Sequence, residues 1–141
     1  MNTNPEGDTR AKVLVVDDEV AILITLKRIL EFAGYEVQTA ESGREGLGAF
    51  QQKPWDLVIL DRSMPGMSGE EVAVEVKRIA PRVPIVLITG SPNAVFRREL
   101  FDVVIAKPFR TTELLECLAR VLARYAEITG QAPRFRMVGS H

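Results

Sequence analysis

The sequence predicts an α/β fold, a doubly wound five-stranded parallel sheet with helices on both faces. Three observations carry that expectation. Five short apolar runs recur along the 141 residues, each rich in β-branched side chains. Runs of that length, apolar on both faces, suit buried parallel strands. The stretches between them change to a helical period, and the connections are short, so strands and helices alternate. The composition, 46% hydrophobic and 26% charged, is that of one ordinary globular domain with a proper core. A formal net charge of -1 offers no bulk electrostatic attraction to nucleic acid or to a membrane surface. Cys117 is the single cysteine, so no internal disulfide forms, which suits a reducing cytoplasm. No apolar stretch approaches the roughly 20 residues of a membrane span, and the polar first ten residues lack a signal peptide's apolar segment. The expected location is the cytoplasm, with no membrane insertion.

Taken in order, residues 1–10 carry Pro5 and Gly7 and read as a disordered lead-in to a domain over 11–126. Lys12 to Val16 is the first strand, ending abruptly in Asp17-Asp18-Glu19. A helix follows with Ile22, Leu26, Ile29 and Ala33 on one face, acids in its first turn and Gly34 as a C′ residue. Tyr35 to Thr39 is the second strand. Ser42 and Glu45 have capping-box spacing for a short helix through Phe50. Leu57 to Leu60 is the third strand, with Asp61 at its exit and Met64-Pro65-Gly66 as a break. Ser68 and Glu71 repeat the capping-box spacing and open a helix with Val72, Val76 and Ile79 on one face. Ile85 to Ile88 is the fourth strand, ending in Thr89-Gly90-Ser91. A short fourth helix over about Asn93 to Leu100 lacks a clean apolar stripe. Val103 to Ala106 is the fifth strand, ending at Lys107-Pro108. Thr111 is placed to cap a last helix that turns Leu114, Leu118, Val121, Leu122 and Tyr125 to the core, with Cys117 near the same face. Residues 127–141 read as a flexible tail, in which Arg134 and Arg136 are solvated surface. They are too few for a DNA-binding output domain, so no direct contact with nucleic acid is expected.

The chemistry lies at the strand ends. All C-terminal ends of a parallel sheet share one edge. With strand order 2-1-3-4-5, Asp17, Asp18, Asp61, Thr89 and Lys107 converge there, and strands one and three meet at the switch point. Asp17-Asp18 alone could be a helix N-cap, Thr89 a turn residue and Lys107 a solvated strand-end charge; these readings weaken because all fall on one edge. Three neighbouring carboxylates repel one another and require a cation. An all-oxygen set with retained waters suits Mg²⁺, with Mn²⁺ as an alternative. Lys107 adds a second positive charge, Thr89 a hydroxyl donor, and Gly90 leaves room beside it. Together these groups fit phosphoryl transfer with Asp61 as nucleophile.

These residues sit in VLVVDDE (Val13–Glu19), GYEVQTAESGREGL (Gly34–Leu47), PWDLVILDRSMPGMSGEE (Pro54–Glu71), PIVLITG (Pro84–Gly90) and AKPF (Ala106–Phe109). In that order and spacing the chain, from about Lys12 to Tyr125, resembles the receiver domain of bacterial two-component response regulators, with a flavodoxin/CheY-like fold. The resemblance implies that Asp61 takes a phosphoryl group from a phosphohistidine. It implies Mg²⁺ ligation by Asp18, the Asp61 carboxylate and the Ser63 backbone carbonyl, with Asp17 acting through water. Thr89 and Lys107 would contact the phosphoryl group, and the peptide before Pro108 would be cis. Ser63 and Ser91 would tune the lifetime of the aspartyl phosphate. The implied partners are a sensor histidine kinase or histidine phosphotransfer protein, and then a protein target on the surface of the fourth helix, fifth strand and last helix. A homodimer stays open. Such a protein catalyses only its own phosphorylation and dephosphorylation.

The sequence departs from the family at three places. Val104 stands where a Tyr or Phe usually moves with the threonine on activation. The span from Thr89 to Lys107 is a few residues short, which implies a short or distorted fourth helix. Arg62 follows the nucleophile where an apolar residue is common. These departures keep a second reading in view, an interaction or scaffold module uncoupled from phosphorylation. An Asp-nucleophile phosphatase is disfavoured by Ser63, which stands where a second aspartate would be needed, and by the absence of a cap domain. Flavin binding is disfavoured by the acidic pocket.

Overall fold

The computed structural model describes residues 10–94 and 96–130. The strands are β1 (Lys12–Val16), β2 (Glu36–Ala40), β3 (Leu57–Asp61), β4 (Ile85–Thr89) and β5 (Val103–Ala106). The helices are α1 (Val20–Phe32), α2 (Gly43–Phe50), α3 (Gly69–Ile79) and α4 (Thr111–Thr129). All pairings are parallel, in the expected order β2-β1-β3-β4-β5. Every residue of β3 and β4 is buried, as two-faced apolar runs require.

The period-2 alternation of the strands sorts the core into two layers. Val13, Val15, Leu57, Ile59, Val86 and Ile88 pack with residues of α1 and α4. Leu14, Val16, Val58, Leu60, Ile85 and Leu87 pack with residues of α2 and α3 and with Leu100 and Phe101. Two carboxylates finish strand starts that no neighbouring strand completes. Asp56 accepts the Lys12 N–H and Asp102 the Ile85 N–H, each at 2.8 Å.

The helix ends follow their local chemistry. Ser68 and Glu71 form the full capping box of α3, with Oγ accepting the Glu71 N–H at 3.2 Å and the Glu71 carboxylate accepting the Ser68 N–H at 2.9 Å. Ser42 accepts the Glu45 N–H at the start of α2. Gly34 follows α1 with φ 102°, the left-handed conformation a C′ glycine permits.

Several details differ from the expectation. The face of α1 turned to the core is Leu23, Leu26 and Leu30, while Ile22, Ile29 and Ala33 lie at its margin. Three- and four-residue spacings describe either stripe, and packing against the sheet selects the leucines. No acid occupies the first turn of α1; Asp17 instead accepts the Glu19 N–H at 2.8 Å just before it. Arg110, not Thr111, holds the N-cap position of α4, and Glu113 accepts its N–H at 3.0 Å. In α4 Cys117 and Ala126 are buried while Tyr125 is only partly so. Ile79 is 39% exposed at the end of α3, where Val72, Ala73 and Val76 make the buried face. The short or distorted fourth helix is a single 3-10 turn over Arg98–Leu100. With no apolar stripe to bury, the stretch lacks the packing that sustains a longer helix. The last helix is therefore α4, and it continues to Thr129, past residue 126. Residues 1–9 of the lead-in, and 131–141 of the tail with Arg134 and Arg136, lie outside the described residues.

Candidate functional site

Strand register carries the site residues to one edge. Val16 pairs with Leu60 and Asp61 with Ile88, so Asp17 follows β1 beside Asp61 at the end of β3. Thr89 pairs with Ala106, and the Lys107 N–H continues the ladder to the Thr89 carbonyl at 2.8 Å. The Asp17 N–H bonds the Ala40 carbonyl, which holds that carboxylate at the switch point.

Carboxylate oxygens of Asp17, Asp18 and Asp61 lie within 4.8 Å of one another. Asp17 is 2% exposed and Asp61 7%, while Asp18 faces solvent. Lys107 leans into the cluster, with Nζ 3.2 Å from Asp61 Oδ1, 3.8 Å from Asp17 Oδ2 and 3.7 Å from Glu19 Oε1. Burial pushes the Asp17 carboxyl up to about 6, with the Asp61 charge adding to the rise. Burial also raises Asp61, against the opposing pull of Lys107. Lys107 is lowered by its own burial, but the surrounding acids outweigh that and hold it above its ordinary value. The pocket therefore carries more negative charge than one ammonium offsets.

The donor set fits a hard divalent cation. It is all oxygen, drawn from three carboxylates, with an exposed member that leaves positions for water. No histidine or thiol competes among the described residues of the cluster.

The other predicted residues surround this core. Thr89 is 3% exposed, and its Oγ1 accepts the Ser91 N–H at 3.0 Å, which leaves the hydroxyl hydrogen available. Ser91 and Ser63 are exposed at the mouth. Gly90 faces open space, since a Cβ there would meet no atom within 4 Å. The Lys107–Pro108 peptide is cis. Val104 is not at the mouth; it packs in the layer that holds Phe96 and Phe101. A shallow cleft of about 470 Å³ beside the nucleophile is lined by Arg62, Ser63, Met64, Pro65, Ser68 and Glu70.

Gly69 fixes the nucleophile's backbone. A Cβ at Gly69 would lie 2.4 Å from the Asp61 carbonyl oxygen and 3.1 Å from the Arg62 Cα, so only glycine lets α3 start against the end of β3. Sequence reasoning missed Glu19 as a third partner of Lys107; its place directly after Asp17-Asp18 was the available signal. Glu70 and Phe96, both near Arg62, carried no signal.

Residues 13–119 match the family described as the response regulator receiver domain. Response regulator MprA of Mycolicibacterium vanbaalenii is 34% identical over 117 residues, covering 80% of this chain and 51% of that protein. The chain spans about half the length of the first curated relatives it matches, 47% to 51%. Among solved structures, a response regulator receiver domain protein from Clostridium thermocellum superposes with a TM-score of 0.78 at 34% identity, covering 84% of this chain and 98% of that one. The response regulator TrrA from Thermotoga maritima, solved in complex with Mg²⁺-BeF, gives a TM-score of 0.75 at 39% identity, covering 79% and 99%. With its acidic cluster arranged for Mg²⁺-dependent phosphorylation of Asp61, the chain belongs to the receiver-domain family of two-component response regulators.

Proposed function

We propose that each pocket residue has a distinct part in moving a phosphoryl group from a phosphohistidine to Asp61. The observation that carries this is the placement of Lys107 Nζ 3.2 Å from Asp61 Oδ1 beside the three-carboxylate cluster. Asp17, Asp18 and Asp61, with the Ser63 carbonyl, would hold Mg²⁺, which when bound neutralises the carboxylates and polarises phosphoryl oxygens. An Asp61 carboxylate oxygen attacks phosphorus as the P–N bond breaks, and the leaving imidazole keeps the electron pair and takes a proton. Lys107 and the Thr89 hydroxyl hydrogen meet the equatorial oxygens. Water later attacks the aspartyl phosphate, returning the carboxylate and inorganic phosphate, and exposed Ser63 and Ser91 set its access.

The donor is a histidine kinase or histidine phosphotransfer protein in the cytoplasm, and 11–126 is the receiver unit. The output surface is β5, α4 and the 3-10 turn that stands in place of a fourth helix. A cleft of about 350 Å³ on that side, lined by Val103, Arg120, Val121 and Arg124 among others, supports it. Titration with a phosphodonor or with beryllofluoride and Mg²⁺ tests the assignment. Wild type should respond and Asp61→Asn should not; an undiminished response in Asp61→Asn refutes it. The reduced fourth-helix segment and Val104 favour one second reading, a module whose output is uncoupled from phosphorylation. It predicts a partner that binds wild type and Asp61→Asn equally.

A further inference from the structure

The residue after the nucleophile joins a set of contacts that the phosphoacceptor chemistry does not use. Arg62 leaves β3 on the sheet face opposite the α1–α4 layer. The register that pairs Asp61 with Ile88 sets Arg62 beside Thr89 one step further on. Its N–H donates to the Ile88 carbonyl at 3.2 Å and its carbonyl accepts the Gly69 N–H at 3.0 Å, so the backbone is pinned. Its side chain reaches Phe96 and Glu70. The guanidinium carbon lies 4.8 Å from the centroid of the Phe96 ring, and Nε lies 3.8 Å from Glu70 Oε1. The other Glu70 oxygen accepts the Arg97 N–H at 3.0 Å. Arg98 stacks on Phe96 as well, at 4.9 Å, and Phe96 meets Phe101 edge-on at 6.1 Å. Phe101 is buried, and Val104 packs in the same layer.

We propose that Arg62 is the output relay of this receiver, a latch on the 96–101 segment that phosphorylation of Asp61 withdraws. The inference rests on the phosphoacceptor reading of Asp61. Three features point to it. Arg62 is covalently next to the phosphorylated residue, so phosphorylation adds negative charge one residue along the chain from its guanidinium. Arg binds phosphoryl oxygens through paired, charge-assisted hydrogen bonds, which are shorter and more directional than a contact at 3.8 Å to a carboxylate or a stack on a ring. Glu70 ties Arg62 and the Arg97 backbone to one carboxylate, so losing Arg62 leaves both Phe96 and Glu70 without one holding contact. The segment then has two arrangements, Phe96 clamped between Arg62 and Arg98, or Phe96 released, and the phosphoryl charge biases between them. This supplies a route outward on the face where Val104 has no ring to move.

Amide NMR of the full chain with Mg²⁺, before and after beryllofluoride, tests the latch in wild type, Arg62→Ala and Phe96→Leu. In wild type, beryllofluoride should shift the amides of residues 96–101 as well as the strand ends. Arg62→Ala should show the shifted 96–101 pattern at rest and bind beryllofluoride with no further change there. Phe96→Leu, which keeps the arginine, should lose most of the 96–101 response while retaining the strand-end shifts, and it holds the test open if Arg62→Ala does not fold. Resting 96–101 amides unchanged in Arg62→Ala, with a full wild-type response, overturn the latch. So does a wild-type response confined to the strand ends, which leaves the phosphoacceptor reading standing. A wild type silent at Asp61 itself removes that reading and the latch with it.

Discussion

Replacing Lys107 by methionine should tighten Mg²⁺ binding while destabilising the metal-free protein. The ammonium sits 3.2 Å from Asp61 Oδ1, 3.8 Å from Asp17 Oδ2 and 3.7 Å from Glu19 Oε1. At an effective dielectric near 20, the shortest of these contacts is a gross attraction of about 5 kcal/mol. Desolvation of the partly buried ammonium offsets much of it, so the net loss in Lys107→Met is roughly 1–3 kcal/mol at neutral pH. The same cation competes with Mg²⁺ for the same oxygens and repels it. Removing it should raise Mg²⁺ affinity on the order of tenfold, which corresponds to about 1.4 kcal/mol. The destabilisation should shrink as pH falls through about 6, because Asp17 takes up a proton there and the cluster loses a charge. Calorimetric Mg²⁺ titrations and urea unfolding at pH 7.5 and 5 measure both effects. Equal or weaker Mg²⁺ binding in a folded Lys107→Met would refute the view that the ammonium and the metal share one set of oxygens.

Three further outcomes follow from the same geometry. Without Mg²⁺ the wild type should lose stability as pH rises through about 6, since the raised Asp17 pKa disfavours its charged form in the fold. That contribution is full below the unfolded value near 3.9 and amounts to at most ~3 kcal/mol; a Mg²⁺-free stability that instead rises between pH 5 and 7.5 contradicts it. Gly69→Ala should cost at least about 2 kcal/mol and disturb Mg²⁺ binding, because the new Cβ meets backbone atoms at 2.4 and 3.1 Å that cannot turn aside; unfolding within error of wild type would show that α3 can slide. Ser68→Ala removes the hydroxyl that accepts the Glu71 N–H and should cost about 1 kcal/mol with the pocket's metal affinity unchanged, as read by urea unfolding beside a Mg²⁺ titration.

The acidic edge was legible because its signals are local and its assembly is topological. Apolar runs such as Leu57 to Leu60 mark strands by themselves, and each places the next polar residue at the edge. Parallel order then gathers Asp17, Asp18, Asp61, Thr89 and Lys107 with no knowledge of side-chain packing. Capping was legible at Ser42 and Ser68 for the same local reason, and misplaced at Thr111, where the helix begins one residue earlier than a hydroxyl cap requires. What stayed hidden depends on contacts between distant residues. Ile22 or Leu23 satisfies the period of α1 equally, and the sheet decides between them. Asp56 and Asp102 look like surface acids until Lys12 and Ile85 arrive 44 and 17 residues away. Arg62 looked only like a departure from an apolar preference, since its ring partner Phe96 lies across an irregular stretch that no period describes.

The two sheet faces divide the work at the end of β3. Residues 57 and 59 face α1 and α4, residues 58 and 60 face α2 and α3, and the strand delivers Asp61 and Arg62 as consecutive side chains at its exit. A phosphoryl group on Asp61 thus needs only one peptide to reach the other layer. There Leu87 pairs with Val104, and Phe96, Leu100 and Phe101 pack over that side of the sheet in place of a full fourth helix. A large ring at 104 would compete with this cover for the same volume in a close-packed layer. Valine at 104 leaves that volume to Phe96 and Phe101, and Arg62, next to the nucleophile, stacks on the Phe96 ring of this cover.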